Sequence, residues 1–125
     1  MIRTLMKSKI HRVAATQTDV NYNGSITIDR SLARQADLLE NEKVDIYNVN
    51  SGARFSTYVI HGDPGVIGVN GAAARLVQKG DLLIIVSYAQ YSEEECRGHQ
   101  PTVVCMQQSV PGKTGHAEQV FAGLN

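Results

Sequence analysis

Hydrophobic and polar positions fall into short segments separated by frequent turn signals. Val44 and Ile46 alternate with Asp45 and Tyr47, the period-two pattern of a half-buried strand. Leu82-Leu83-Ile84-Ile85-Val86 is a continuous apolar run, as expected of a strand covered on both sides. Further β-like stretches lie at Thr4–Ala15, Ser25–Ile28, Arg54–Ile60, Val66–Val69 and Thr102–Met106. Turn signals punctuate them: Asn23-Gly24, Asn50-Ser51-Gly52, Gly62-Asp63-Pro64-Gly65, Asn70-Gly71 and Lys79-Gly80-Asp81. Helical signals are fewer. Asp29 can cap a helix through Leu39, with Leu32, Ala36 and Leu39 spaced for one face. A second short helix is predicted over Gly71–Val77, where three alanines follow Asn-Gly. Short strands with two or three short helices predict a mainly-β protein built as a small barrel, because closure removes exposed strand edges. Residues 107–125 have little periodicity and are expected to form a loosely ordered tail.

Composition narrows the function. A length of 125 residues fits one domain, and 42% hydrophobic residues can build its core. Zero net charge argues against a basic nucleic-acid binder. The charge is nonetheless uneven: residues 1–24 carry Arg3, Lys7, Lys9 and Arg12 against Asp19 alone. No apolar run is long enough to span a membrane and the start does not read as a signal peptide, so a cytoplasmic protein is expected. Cys96 and Cys105 form no Cys-x-x-Cys pair and no disulfide scaffold. His61, His99 and His116 lack ligand spacing, so no metal is expected. Glu93-Glu94-Glu95 reads as a solvated turn or a first helical turn.

The segment most informative for chemistry runs from Asp19 to Asp29. Asn23-Gly24 is a strong turn signal leading into a strand. Gly24-Ser25 has a second reading. A serine hydroxyl can attack the carbonyl that precedes it when the peptide is strained, and glycine hinders that attack least. Of the eight serines, only Ser25 follows a glycine.

With Arg3-Thr4, Lys7-Ser8-Lys9-Ile10-His11-Arg12 and Tyr22-Asn23-Gly24-Ser25, followed by Ile26-Thr27-Ile28-Asp29, the chain resembles the pyruvoyl-dependent aspartate 1-decarboxylases. Leu39-Glu40-Asn41-Glu42, Gly52-Ala53-Arg54, Thr57-Tyr58, Asn70-Gly71-Ala72-Ala73-Ala74-Arg75 and Gly80-Asp81 continue the likeness through about residue 105. The loop over Gly62–Gly65 is shorter than usual for the family, and the end after Met106 does not resemble it. The resemblance implies a double-psi β-barrel, a homotetramer with sites between subunits, and a zymogen cleaved at Gly24-Ser25. A β chain of residues 1–24 and an α chain of residues 25–125 would result, sometimes with the help of an accessory maturation protein. A covalent pyruvoyl group made from Ser25 would replace pyridoxal phosphate as electron sink. L-Aspartate would form an imine with it, lose carbon dioxide and leave as β-alanine for pantothenate synthesis.

The resemblance also implies roles. Lys9 and Arg54 are cations suited to two substrate carboxylates, Arg54 through its planar fork. Tyr58 matches the family's proton donor, and a phenol is protonated at neutral pH. Thr57 matches a maturation and substrate-binding threonine, yet alternation turns it to the face opposite Tyr58. Tyr22 can line the cleavage loop, and His11 can support the processed end or the substrate. Asn70, Gly71, Ala72 and Ala73 read as a small-residue platform at a helix start, bordering the substrate. Two alternatives stand beside this reading: a non-enzymatic barrel acting as a binding module, and pyruvoyl chemistry on another small amino acid.

Overall fold

The computed structural model describes residues 1–108 and 119–124. Nine strands dominate. They are β1 (Ile2–Ala14), β2 (Gln17–Asp19), β3 (Ser25–Asp29), β4 (Lys43–Asn48), β5 (Arg54–Gly62), β6 (Ile67–Asn70), β7 (Leu82–Ser92), β8 (Thr102–Gln108) and β9 (Gln119–Leu124). Two short helices, α1 (Arg30–Gln35) and α2 (Glu93–Cys96), and a 3-10 helix over Gly71–Leu76 complete the described chain. Among these residues no helix is long and apolar enough to cross a membrane.

The strands form one mixed sheet in the order β2-β6-β3-β5-β4-β7-β1-β8-β9. Its two halves are laced together by the chain itself. β1 pairs with β7 and β8 at one end, and β2, three residues further on, pairs with β6 at the other. The crossing is held by Ala15 N–H to the Asp81 carbonyl (2.9 Å) and Thr16 N–H to the Ile67 carbonyl (2.8 Å). Parallel pairs β3·β5, β2·β6 and β1·β8 sit among the antiparallel ones. A mainly-β chain curled in this way is compatible with the small barrel expected. The inner face buries Ile10, Val13, Ile26, Ile28, Val44, Ile46, Val59, Ile67, Val69, Leu83 and Ile85, and Leu32 of α1 closes over it.

Two bulges shape β1. Its register against β7 shifts between Met6 and Ser8 and again between Ile10 and Val13, leaving Lys7 as an extra residue at the first. Arg12, at φ +68°, marks the second. The extra Lys7 meets Glu42 (Nζ to Oε2, 2.9 Å) and donates to the Asp37 carbonyl. Glu42 also accepts from the Ser87 hydroxyl and from Leu39 N–H (3.0 Å). Burial pushes the Glu42 carboxyl up. The hydrogen bonds from Ser87, Lys7 and Leu39, with the Lys7 charge, outweigh that and hold it below the usual value.

Three expectations are corrected. The helix capped by Asp29 stops at Gln35 instead of running to Leu39. Asp37, at φ +54°, ends it in a Schellman arrangement: Leu38 N–H bonds the Ala33 carbonyl and Asp37 N–H the Arg34 carbonyl. Leu38 is thereby buried and Leu39 is 68% exposed, so the apolar residue that docks is one earlier than periodicity predicts. The helix over Gly71–Val77 is a 3-10 helix ending at Leu76. Finally, β8 reaches Gln108 and Gln119–Leu124 pairs antiparallel to it, covering an edge where a loose tail was expected. The rest of that tail, 109–118 and 125, lies outside the described residues. The acidic run Glu93–Glu95 does start a helical turn, with a Ser92/Glu95 capping box.

Candidate active site

The Gly24-Ser25 junction lies where β3 begins. Asp19 opens the loop before it by accepting Asn21 N–H on its side chain (2.9 Å). Ser25 is fully buried and is the first residue of β3 to pair with β6, its partner being Asn70. That register sets the side chains face to face. Asn70 Nδ2 donates to Ser25 Oγ (2.9 Å) and to Thr27 Oγ1 (3.0 Å), while Ser25 Oγ donates weakly to the Asn23 carbonyl (3.4 Å). Asn70 makes no side-chain cap to the 3-10 helix that follows it.

Gly71 comes next and is at φ +77°. A Cβ there would stand 2.7 Å from Gly24 Cα, 2.9 Å from Gly24 N and 3.3 Å from the Tyr22 carbonyl oxygen. The two glycine backbones therefore touch, and only glycine permits it. On its other side Gly24 faces open space, and Tyr22 is exposed. Ala72 is exposed and Ala73 half-buried at the start of the 3-10 helix.

The other candidates are arranged by sheet register. Ile26 pairs with Val59 in the parallel β3·β5 ladder, both pointing into the core, so Ser25 and Tyr58 share the outer face. Arg54 and Ser56 follow Tyr58 on that face by alternation. Thr57 lies on the opposite face with Phe55 and Val59, as alternation predicts, and does not join Tyr58. Lys9 is also on the outer face, in a row of ladder partners that crosses four strands: Lys9, Val86, Asp45 and Ser56. Lys9 is thus three strand spacings from β5, about 14 Å measured along the curved sheet at about 4.8 Å each, and β3 with Ser25 is one strand further. One copy of the chain places Ser25, Gly24, Asn70, Gly71, Tyr22 and Tyr58 on or beside neighbouring strands, with Lys9 four strand positions from Ser25 along the sheet. His11 stays beside Lys9. Its Nδ1 is buried without a partner among the described residues, and burial, then the charges of Lys9 and Arg12, lower its pKa.

Two tyrosines at this face escaped sequence reasoning. Tyr47 pairs with Arg54 across β4·β5, and the guanidinium carbon lies 4.3 Å from its ring centroid. The Tyr47 hydroxyl meets that of Tyr88 at 3.0 Å. The Tyr47 phenol is pushed up to about 12, first by this hydrogen bond, then by burial and nearby negative charge, against a smaller opposing pull from Arg54. Alternation puts Tyr47 on the solvent side of β4, and that placement was the only signal available for it.

Fold and site together define a small mainly-β protein, compatible with a barrel, in which a glycine-serine junction is buried at the serine. Comparison with known families is decisive on which one. The aspartate decarboxylase family model matches residues 1–111. An aspartate 1-decarboxylase of Syntrophomonas wolfei is 58% identical over 108 residues, 85% of this chain and 92% of the relative. One from Clostridium beijerinckii is 57% identical over 108 residues, 85% of this chain and 87% of the relative. A third, from Caulobacter vibrioides, is 54% identical over 108 residues, 85% and 92% respectively. The chain belongs to the aspartate decarboxylase family.

Proposed function

We propose that this chain is a cytoplasmic enzyme that decarboxylates L-aspartate to β-alanine and carbon dioxide, after cleavage at Gly24-Ser25 gives chains 1–24 and 25–125. The observation that carries the reading is the buried Ser25 hydroxyl held by Asn70 against a glycine backbone, in a chain of this family.

These residues fit a group made from Ser25 itself. Attack of Ser25 Oγ on the Gly24 carbonyl carbon turns the amide into an ester. Elimination and hydrolysis then leave a carboxylate on Gly24, ammonia and a pyruvoyl end on the second chain. Asn70 fixes the position of Oγ, and Gly71 fixes the Gly24 backbone beside it. The pyruvoyl group, once formed, supplies an electrophilic carbonyl and an electron sink.

The remaining roles belong to side chains. Arg54, set on the outer face, binds one substrate carboxylate with both arms of its guanidinium. Tyr58, on the same face as Ser25, donates a proton to the carbon that loses carbon dioxide. Lys9 supplies the second cation, and its separation from Ser25 within one chain supports a site completed by another copy, in a homotetramer. His11 stands beside Lys9, and burial with the Lys9 and Arg12 charges lowers its pKa, which favours its neutral form. Asn70, Gly71, Ala72 and Ala73 border the substrate, and Tyr22 lines the entrance. Thr57, behind Tyr58, acts in maturation from the inner face.

Intact mass of the purified protein tests this reading, together with β-alanine production from L-aspartate. Two chains split after Gly24, with Ser25→Ala remaining folded, uncut and inactive, is the expected result. A wild-type chain that stays uncut on warm incubation with or without cell extract, or a cut chain that makes no β-alanine, overturns it. The extract arm detects help from an accessory maturation protein.

A further inference from the structure

We propose that Tyr88 is a positioning residue for the substrate, setting Arg54 through Tyr47; this rests on the reading of Arg54 as the carboxylate grip. Arg54 stands at the start of β5 on an exposed face, where a long side chain has many rotamers to choose from. Among the described residues it makes no ion pair. The nearby carboxylate that could capture it, Asp45, instead accepts the Ser56 hydroxyl (2.6 Å). What holds the guanidinium is the Tyr47 ring beneath it at 4.3 Å. That stacking leaves the edge of the fork, with its N–H groups, free for an incoming carboxylate. Asp45, Tyr47, Arg54, Phe55 and Ser56 line a cavity of about 250 Å³ at this point.

The ring in turn needs a support. Tyr47 pairs with Ile84 on β7, and Asp45 with Val86, so Tyr88 is not a ladder neighbour of Tyr47. The two phenols reach toward each other along the outer face and meet at their hydroxyls, 3.0 Å apart. Val86 lies on this outer face between them and is only 2% exposed. Tyr88 thus pins the far end of the ring that carries Arg54.

The test is steady-state kinetics on the cleaved enzyme with L-aspartate, for Tyr88→Phe, Tyr47→Phe, the double variant and Arg54→Gln. Tyr88→Phe is expected to raise KM about two- to tenfold, the worth of one hydrogen bond, with kcat and chain cleavage unchanged. Tyr47→Phe should do the same, and the double variant no more than either alone, because one interaction is being removed twice. An unchanged KM in Tyr88→Phe overturns the proposal, as does a double variant whose effect is the product of the singles. Arg54→Gln with a wild-type KM would instead remove the reading of Arg54 on which it rests.

Discussion

Gly71→Ala is expected to slow cleavage at Gly24-Ser25 about 100-fold while leaving the chain folded. Two costs are involved, and they can be separated. The first is conformational: a residue with a side chain at φ +77° loses about 1–2 kcal/mol, a fraction of the 5–15 kcal/mol typical of a domain. The second is contact. The new Cβ would sit 2.7 Å from Gly24 Cα and 2.9 Å from Gly24 N, where carbon atoms prefer roughly 3.5–4.0 Å. Both of these neighbours are backbone atoms of the residue whose carbonyl Ser25 must attack, so relief means moving that carbonyl by about 1 Å. A displacement of that size costs about 100-fold in a reaction that depends on alignment. Gly52→Ala is the matched control: Gly52 has φ +79° and would meet nothing within 4 Å, so it carries the first cost without the second. Intact mass against time, with thermal melting in a Ser25→Ala background, reads both effects. Gly71→Ala cleaving at the wild-type rate would refute the argument, and so would Gly52→Ala slowing cleavage equally.

Other expected outcomes follow from the same geometry. Lys7→Met leaves Glu42 without its cation, and since both side chains are about four-fifths buried, a loss of about 1–3 kcal/mol should appear in denaturant unfolding. The Glu42 carboxyl is lowered on folding, so its contribution is present above its ordinary value of 4.5 and lost as pH falls through the folded one; wild type should lose stability more steeply there than Glu42→Gln in acid melts. Tyr58→Phe should still cleave yet lose decarboxylation by about 10²–10⁴-fold, measured as kcat on the cleaved protein. Lys9→Ala and Tyr58→Phe chains, each inactive alone, should regain up to roughly a quarter of wild-type activity when mixed into one oligomer if each site draws on two copies; no recovery would place both residues in one site of one chain.

Much of the fold was legible because barrel strands announce themselves by period and turn chemistry. Val44 and Ile46 point inward, Asp45 and Tyr47 outward, as alternation requires. The end of α1 was not legible. Periodicity favours Leu39, but Asp37 adopts a left-handed conformation usually given to glycine, and Leu38 is buried in its place. Asn70 was found from its Asn-Gly motif and the resemblance, but its bonds to Ser25 and Thr27 depend on the β3·β6 register, which the sequence does not display. Tyr88 could not be found at all, since its partner Tyr47 is reached across the sheet by two long side chains and not by a ladder contact.

Lys9 shows why a motif can be right about a residue and silent about its place. Met6 faces outward, opposite Tyr88. Counting by twos from Met6 would carry Ser8 and Ile10 outward as well and turn Lys9 into the core. The extra residue at Lys7 reverses that count, so that Ser8 and Ile10 are buried and Lys9 emerges on the outer face with Arg54 and Tyr58. What fixes the bulge is the bulged residue itself, drawn to Glu42, which Ser87 also holds, and to the Asp37 carbonyl just past α1. Among the described residues the Lys7 and Glu42 side chains bond to none of the proposed site residues, yet the side to which Lys9 points depends on them.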